Sequence, residues 1–288
     1  MLPFRKDRLC QLSALVLRKV VRRRHLSTKR VYDAKAGLFS VPVQFRNNKG
    51  DLIKLDAVYQ DSMPEGGQRA TIFAVHGAPG THADFKYLVS QLRNNNVRMI
   101  MPNFPGLGFT PSDPRLCCEN EERNEFAQAV LDSVENLGTT DLIFMVYNRI
   151  MGLKVPTGDA AAMALRLMRT FGYEKVMPSV DTVNSHPEIK LLHAFSGEDY
   201  FIQPDVSREL AVQFENRVDL ECTSYDSSEV TRATIEAFSG GAQTVSVNFV
   251  NEGHFLQKFR AQYLIDVILS LVSELSPTIE PDIDLSTN

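Results

Sequence analysis

Four turns of this sequence contain residue types that can carry out chemistry. Each follows a segment with the pattern of a buried strand: His76 to Gly80, Asn103 to Thr110, Ser196 to Asp199, and Asn251 to Phe255 with His254 at its centre. A histidine and an aspartate can act together as a general base and the group that orients it. A lone loop histidine is more often only a surface residue. Open α/β sheets, however, build their sites at the carboxyl ends of parallel strands, so these turns are candidates for one site.

The first turn, His76-Gly77-Ala78-Pro79-Gly80, carries two glycines that let the backbone bend sharply and leave amide N–H groups facing a pocket. Such a turn can hold the oxyanion of a tetrahedral intermediate, and it also suits an ordinary strand-to-helix connection. The second turn, with Gly106 and Gly108, matches neither a phosphate loop nor a dinucleotide fingerprint. We therefore expect no nucleotide cofactor. We expect no metal either, because the cysteines lack metal-ligand spacing: Cys10, Cys117, Cys118 and Cys222.

The elements around these turns predict an α/β protein. Residues 37–47 and 51–60 alternate apolar and polar side chains about a turn at 47–50, which indicates a hairpin. Short apolar runs then indicate buried parallel strands at 70–75, 97–102, 141–146, 189–195 and 243–250. Helices are expected at 84–95, 121–137, 205–216, 229–238 and 255–274. This order predicts a mostly parallel sheet flanked by helices after an N-terminal hairpin.

Charge is distributed unevenly along the 288 residues. The net charge is −4, but residues 1–30 contain ten lysines and arginines with one acid, Asp7, which gives +9 and leaves −13 for the rest. A body so acidic repels nucleic acid, so we expect no nucleic-acid partner. No apolar run reaches the ~18 residues of a membrane span, so we expect no transmembrane segment. The composition of 43% hydrophobic and 23% charged residues is that of a globular chain.

The N-terminal segment, residues 1–32, has the composition of a mitochondrial presequence, being arginine-rich and almost free of acids. Its apolar residues fall at helical spacings with basic residues between them: Leu9, Leu12, Val16 and Val20. A secretory signal is the second interpretation, and an untargeted basic tail in a cytoplasmic protein is the third. On each of these interpretations we set residues 1–32 apart from a domain at 33–275. The last residues, 276–288, have two prolines and three acids and are expected to form a loose tail.

Taken in order, the four turns resemble those of the α/β-hydrolase superfamily over roughly residues 37–275. The resemblance implies that Ala78 supplies an oxyanion N–H from a turn that follows the third strand of that fold. It implies that Asp199 is the acid, with Asp205 as a fallback, and that His254 is the catalytic base. The supporting glycines and histidine of the first two turns are His76, Gly77, Gly80, Gly106 and Gly108. Activity on carboxylic esters, and a small ester or a lipid-like molecule as ligand, are what this resemblance implies; the oligomeric state stays open.

The nucleophile of the superfamily is missing from the expected place. The strand at 141–146 should lead into a G-x-S-x-G elbow, but the chain continues Tyr147-Asn148-Arg149, and the pattern occurs nowhere in the sequence. The nearest serines, Ser133 and Ser179, lie in no elbow. Only 147–188 separates this strand from the acid-bearing strand, and those residues resemble a helical lid. An internal segment that is dropped in a splice or gene-model variant would leave this pattern.

Three interpretations follow from these features. The first is an esterase- or lipase-related protein, catalytically impaired because it lacks a nucleophile, in which Asp199 orients His254. The second is a non-catalytic member of the fold that binds a ligand or a partner. The third is an incomplete chain that folds poorly, because losing the elbow helix uncovers one sheet face.

Overall fold

The computed structural model describes residues 14–18, 29–67, 69–134, 142–146, 176–200 and 202–275. Ten strands within these ranges form one sheet: β1 (Ala14–Arg18), β2 (Arg30–Asp33), β3 (Leu38–Arg46), β4 (Leu52–Asp61), β5 (Ala70–Val75), β6 (Val97–Pro102), β7 (Leu142–Val146), β8 (Leu191–Ser196), β9 (Arg217–Cys222) and β10 (Thr244–Phe249). Their order across the sheet is β2-β3-β4-β6-β5-β7-β1-β8-β10-β9. This is an α/β fold of the hydrolase type, as the sequence predicts.

The direction of the strands fixes which edge of the sheet can carry a site. Strands β5, β6 and β7 run parallel to one another, and so do β8, β9 and β10. Strand β1 is antiparallel to both of its neighbours, β7 and β8, which therefore point the same way. All six parallel strands consequently end at the same edge.

Helices cover the sheet on both faces. They are a 3₁₀ turn (His82–Phe85), α1 (Lys86–Asn94), α2 (Asn120–Ser133), α3 (Met177–Asn184), α4 (Pro204–Ala211), α5 (Ser228–Ser239), α6 (Leu256–Phe259) and α7 (Ala261–Leu275). Strand β5 is buried along its whole length, and its side chains alternate between two cores. Ile72 and Ala74 pack with α1 and α7, whereas Phe73 and Val75 pack with the hairpin and α2. This two-sided burial explains why the strand is apolar throughout.

Strand β1 and all but the last residue of β2 lie within residues 1–32, the segment expected to be separate from the domain. Strand β1 pairs five residues with β7 and three with β8, and β2 pairs with the start of β3. Lys29 also contacts the sheet, with its ammonium 3.8 Å from Asp61 and over the Phe39 ring. The structured part of the chain therefore includes residues before 33, although the targeting role of this segment stays a prediction.

The hairpin and the buried parallel strands match the predicted positions within one or two residues, but other elements differ. Strand β9 lies before the predicted helix at 229–238, in a polar stretch for which no element was predicted. The helix expected at 205–216 ends at Ala211, and the one expected at 255–274 is divided at Arg260 into α6 and α7. Helix α2 ends at Ser133 instead of 137, because Val134 has extended backbone angles.

Several expectations fall on residues outside the described ranges. Residues 147–175 of the lid-like stretch, the residues Tyr147, Asn148 and Arg149, and the tail at 276–288 are among them. The described end of the lid-like stretch contains α3, whose Val180 and Val183 pack against Leu191 of β8. In the part of the chain that the structure describes, no helix is long and apolar enough to cross a membrane.

Candidate active site

His254 and Asp199 are in direct contact. The imidazole Nδ1 of His254 lies 2.8 Å from Oδ2 of Asp199, and both side chains are more than nine-tenths buried. A carboxylate accepts, so Nδ1 carries the proton and Nε2 is left as the basic nitrogen. The other carboxylate oxygen of Asp199 accepts the backbone N–H of Ile202 at 3.0 Å, which fixes its orientation. This is the arrangement of a general base with its orienting acid.

The loops that carry this dyad are fastened to each other by three further hydrogen bonds. Gly197 N donates to Phe249 O at 2.8 Å, and Glu198 N donates to Glu252 O at 2.9 Å. The Ser196 hydroxyl donates to Gly253 O at 2.7 Å. A Cβ at position 197 would lie 2.6 Å from the Val250 Cα, so only glycine allows this approach. The spacing of the dyad is therefore set by backbone packing between the two loops.

The turn that contains Ala78 follows β5 at the same edge of the sheet. Ala78 is buried, and Gly80 N donates to Gly77 O at 2.8 Å, which closes the turn. A Cβ at Gly80 would meet the Gly77 carbonyl at 2.8 Å and the His76 ring at 3.0 Å. The topology thus places Ala78 at the edge that carries the dyad, with β7 and β1 lying between β5 and β8.

His76 joins the first two turns to each other. Its Nδ1 lies 2.6 Å from Gly77 O, and its Nε2 accepts the Phe104 N–H at 3.0 Å. The ring packs edge-on against Phe104. Burial lowers the pKa of His76 to about 4, so the ring is neutral near pH 7. A neutral ring that is protonated on Nδ1 satisfies both contacts. His76 therefore links the two turns, and both of its ring nitrogens are occupied.

The second turn is held by Asn103 and Thr110 against β4. Asn103 donates its side-chain amide to Val58 O at 3.1 Å, and its Oδ1 accepts the His82 N–H at 3.1 Å. The Thr110 hydroxyl accepts the Val58 N–H at 2.9 Å. Gly106 and Gly108 both have positive φ, and a Cβ at Gly108 would lie 2.7 Å from Asn103 Cγ. These two glycines support the turn and bring no side chain to a site.

The place for a nucleophile is the carboxyl end of β7, beside β5. The residues that follow in the sequence, Tyr147 to Arg149, lie outside the described ranges. Ser133 does not replace them, because it lies in the last turn of α2 with its hydroxyl on Ala129 O at 2.7 Å. Ser179 lies within α3.

Sequence reasoning missed a buried ion pair next to the dyad. Glu252 and Arg260 are 2.9 Å apart and almost wholly buried, on either side of His254. The sequence did contain a signal for this pair, since oppositely charged residues lie before and after His254 in the chain. Among the described residues, no group of three histidine, cysteine or acidic side chains could hold a metal ion.

Several solved structures are similar to this one at low sequence identity. A bromoperoxidase from Bacillus anthracis matches with a TM-score of 0.49 and 11% identity, over 81% of this chain and 99% of that one. A putative lipase from Acinetobacter baumannii matches with a TM-score of 0.47 and 13% identity, over 83% and 92%. An esterase from Thermogutta terrifontis matches with a TM-score of 0.45 and 11% identity, over 82% and 98%.

A relative from Caenorhabditis elegans, "Uncharacterized protein F35H12.5", is 22% identical over 297 aligned residues, 78% of this chain and 83% of that protein. The aligned length exceeds the 288 residues of the whole chain. Since 78% of this chain is about 225 residues, about 70 aligned positions of the relative have no counterpart here. The relative thus carries a substantial internal stretch, or several, that this chain lacks.

The family described as "Alpha/beta hydrolase of unknown function (DUF1057)" matches in two segments, residues 35–149 and 136–273. The two segments meet around β7, where the sequence departs from the nucleophile pattern. Together they span nearly all of the domain, including both loops of the dyad. The chain belongs to this family of α/β hydrolases.

Proposed function

We propose that this chain is an esterase- or lipase-related α/β-hydrolase protein that keeps its base, its orienting acid and its oxyanion turn but cannot form an acyl-enzyme. One observation carries the proposal: an intact dyad with a 2.8 Å contact stands in a chain with no serine, cysteine or aspartate directly after β7. The split family match around β7 and the extra residues of the nematode relative support it.

The consequence for catalysis is large. A serine hydrolase needs a hydroxyl held by a strained elbow, a base within hydrogen-bond reach and two oxyanion donors. This sequence supplies the base as His254 and one donor as the Ala78 N–H. The second donor belongs to the residue after the nucleophile and is lost with it. Removing the nucleophile of a working triad costs on the order of 10⁶ in kcat, about 8 kcal/mol of transition-state stabilisation.

The test compares the chain with a version that has a G-x-S-x-G elbow segment inserted after Val146. Both proteins are incubated with a serine-directed fluorophosphonate probe, and ester hydrolysis is measured beside a His254→Ala control. We expect no labelling of the unmodified chain and no hydrolysis above the control. Labelling of a specific serine in the unmodified chain, lost on His254→Ala, would show an intact enzyme and overturn the proposal.

A second function is favoured by the retained edge of the sheet. The two loops of the dyad and the turn with Ala78 lie at the edge where open α/β sheets bind ligands, and their hydrogen bonds hold them in place. The chain would then bind a small ester or a lipid-like molecule without converting it. Thermal stability measured with a series of short- and long-chain esters tests this. We expect a rise in Tm for at least one chain length, and a uniform absence of any rise would refute ligand binding of this kind.

We further propose that the N-terminal segment directs the chain to mitochondria, because it is basic and nearly free of acids. Residues 1–32 fused to a fluorescent reporter are expected to bring it to mitochondria, and a diffuse cytosolic signal would contradict this. Import is compatible with strand β1 only if processing spares residues 14–18. N-terminal sequencing of the imported protein decides that point.

A further inference from the structure

The loop that carries His254 is held from two sides. On one side it is fastened to the Asp199 loop by the hydrogen bonds described above, and Glu252 takes part through its backbone carbonyl. On the other side the Glu252 carboxylate pairs with the Arg260 guanidinium at 2.9 Å. Glu252 therefore joins the histidine loop to a second anchor besides the Asp199 loop.

That second anchor is the loop between β9 and α5. Arg260 donates to the backbone carbonyls of Tyr225 and Ser224 at 2.7 and 2.9 Å and to the Ser227 hydroxyl at 2.8 Å. Its guanidinium also lies 5.1 Å from the centre of the Phe249 ring, at the end of the strand that leads into the histidine loop. Arg260 thus connects β10 to the edge unit, which consists of β9, α5 and the loop between them.

The edge unit also has direct links to the start of the histidine loop: Val250 N donates to Cys222 O at 3.0 Å, and the Asn251 side-chain amide donates to Thr223 O at 2.8 Å. Strand β9 and α5 lie between Asp199 and His254 in the chain, and β9 forms the outer edge of the sheet beside β10. Because β10 separates β9 from β8, the edge unit does not touch the acid-bearing strand through the sheet ladder. The charged link between the edge unit and the histidine loop runs from the carbonyls of Ser224 and Tyr225 through Arg260 to Glu252.

The chemistry of the pair suits a positioning role. A guanidinium presents several donors in a rigid plane, so it can hold a carboxylate and carbonyls at once, which an ammonium cannot do with the same geometry. The Arg260 side chain is 4% exposed and that of Glu252 10%, so water has little access to either charge. Loss of either partner leaves an uncompensated buried charge two residues before His254 or six residues after it.

We propose that Glu252 and Arg260 are positioning residues that hold His254 in register with Asp199, with the β9–α5 unit as their anchor. This rests on the proposed role of His254 as the base. Neither residue is expected to touch a substrate. They act on the His254 imidazole through the backbone of residues 252–254.

The experiment observes the Nδ1-bound proton of His254 by NMR in the full chain. This proton is hydrogen-bonded to a carboxylate, and its resonance is assigned by its loss in His254→Ala. Its exchange with water is compared in the unmodified protein, Glu252→Gln, Arg260→Met and Arg260→Lys. The matched control is Arg232→Met, which removes an exposed pair with Glu236 on the same edge unit.

We expect about tenfold faster exchange or loss of the His254 signal in Glu252→Gln and Arg260→Met, partial recovery in Arg260→Lys, and no change in Arg232→Met. The ring protons of the buried histidines His76 and His193 report on the rest of the domain and should keep their positions. An unchanged His254 signal in both folded variants would overturn the proposal. Equal disturbance at all three histidines would do the same, because the pair would then serve general stability. The readout needs no turnover, so a failure here is separable from a failure of the proposed function.

Discussion

The two parts of the candidate site lie in different halves of the sheet, and the halves are built differently. The oxyanion half comprises strands β2 to β7 and carries the Ala78 turn; the dyad half comprises β8 to β10 and carries Asp199 and His254. In the oxyanion half, a wholly buried ion pair between Arg98 and Asp61 lies near the amino end of β6, away from the site. In the dyad half, the buried pair Glu252–Arg260 lies beside the histidine itself. On the proposed assignment, each half therefore holds its own part of the site, and the position of the nucleophile lies where the two halves meet.

The two halves of the domain are joined at this junction by two sets of contacts. In the sheet, β1 is the strand that pairs with both β7 and β8, so it forms the hydrogen-bonded connection between the halves. On one face, helices α1 and α7 share a core that includes Ile72 of β5 and Val245 of β10. The first connection comes from the N-terminal segment and the second from the domain body. Each can be tested separately.

The largest effect is expected from removing the N-terminal strand. Deleting residues 1–28 takes away the eight backbone pairings of β1 and leaves two unpaired strand edges inside the sheet. We expect urea unfolding, followed by circular dichroism, to lose its single cooperative transition, with the two halves unfolding at different concentrations. Deletion of residues 276–288 is the control and should leave the transition unchanged. An unaltered midpoint after the N-terminal deletion would mean that β1 adds nothing to the junction.

A smaller but still severe effect is expected from Arg98→Met in the oxyanion half. Arg98 donates to both carboxylate oxygens of Asp61, and neither side chain is exposed. Removing one partner of a buried pair costs about 3–5 kcal/mol, and the loss is expected near the lower end of this range because Lys29, 3.8 Å from Asp61, offsets part of the remaining charge. Urea denaturation measures this loss.

Arg115→Met is the control for that variant. Its arginine is half exposed and pairs with Asp113 near the surface, and we expect a loss of stability of no more than about 1 kcal/mol. In folded Arg98→Met, the His254 proton signal should keep its position, since the pair lies in the other half. A disturbed His254 signal would show that the halves are coupled more tightly than their separate contacts indicate.

Sequence patterns predicted the oxyanion half better than the junction and the edge. Strands β5 and β6 are buried on both faces, so their apolar runs could be read without knowledge of their partners. In strand β9, charged residues alternate with Val218, Leu220 and Cys222. This alternation is typical of a strand, but the polar composition of the stretch obscured it. Strand β1 was harder to find, because its short apolar run lies within a basic segment that resembles a presequence and it pairs with β7, more than 120 residues away.

The site shows the same division. The order and strand-end positions of Asp199 and His254 were readable from the sequence, since they depend on local motifs. The contact between them depends on how closely two backbones pass at Gly197 and Val250, which no local pattern encodes. The role of His76 in linking the two turns was hidden for the same reason, because its partner Phe104 lies 28 residues away on another turn.

Acid is expected to weaken both halves through one buried histidine in each. Burial lowers the pKa of His76 and of His193 from 6.5 to about 4, and His193 also contacts the Ser246 hydroxyl at 3.1 Å. Between pH 6.5 and 4 the unfolded chain binds a proton that the folded chain refuses, so stability falls as the pH is lowered through this range. Each histidine contributes about 3 kcal/mol of loss by pH 4.

Chemical denaturation at a series of pH values measures this slope. We expect His76→Gln and His193→Gln each to flatten the slope between pH 6.5 and 4 by about half of the combined effect, whatever they do to stability at pH 7. A slope that stays the same in both variants would assign the acid sensitivity to other groups. A change in only one would assign the acid sensitivity to that histidine.

The smallest effect is expected from Gly197→Ala, which acts on the dyad without touching a charge. The new Cβ would come within 2.6 Å of the Val250 Cα and closer still to its carbonyl, so the aspartate and histidine loops must move apart. Overpacking of this kind costs about 1–3 kcal/mol.

Gly50→Ala is the matched control, because Gly50 has a φ of +87° but nothing within 4 Å, so its substitution strains only a hairpin turn. Both variants should therefore lose some stability in urea, but only Gly197→Ala should speed exchange of the His254 Nδ1 proton. Because the loops are also joined by the hydrogen bonds from Gly197 and Glu198, we expect that exchange to rise while the domain stays folded. If the proton is protected equally in the two variants, the close approach at Gly197 does not set the spacing of the dyad, and the hydrogen bonds alone hold Asp199 against His254.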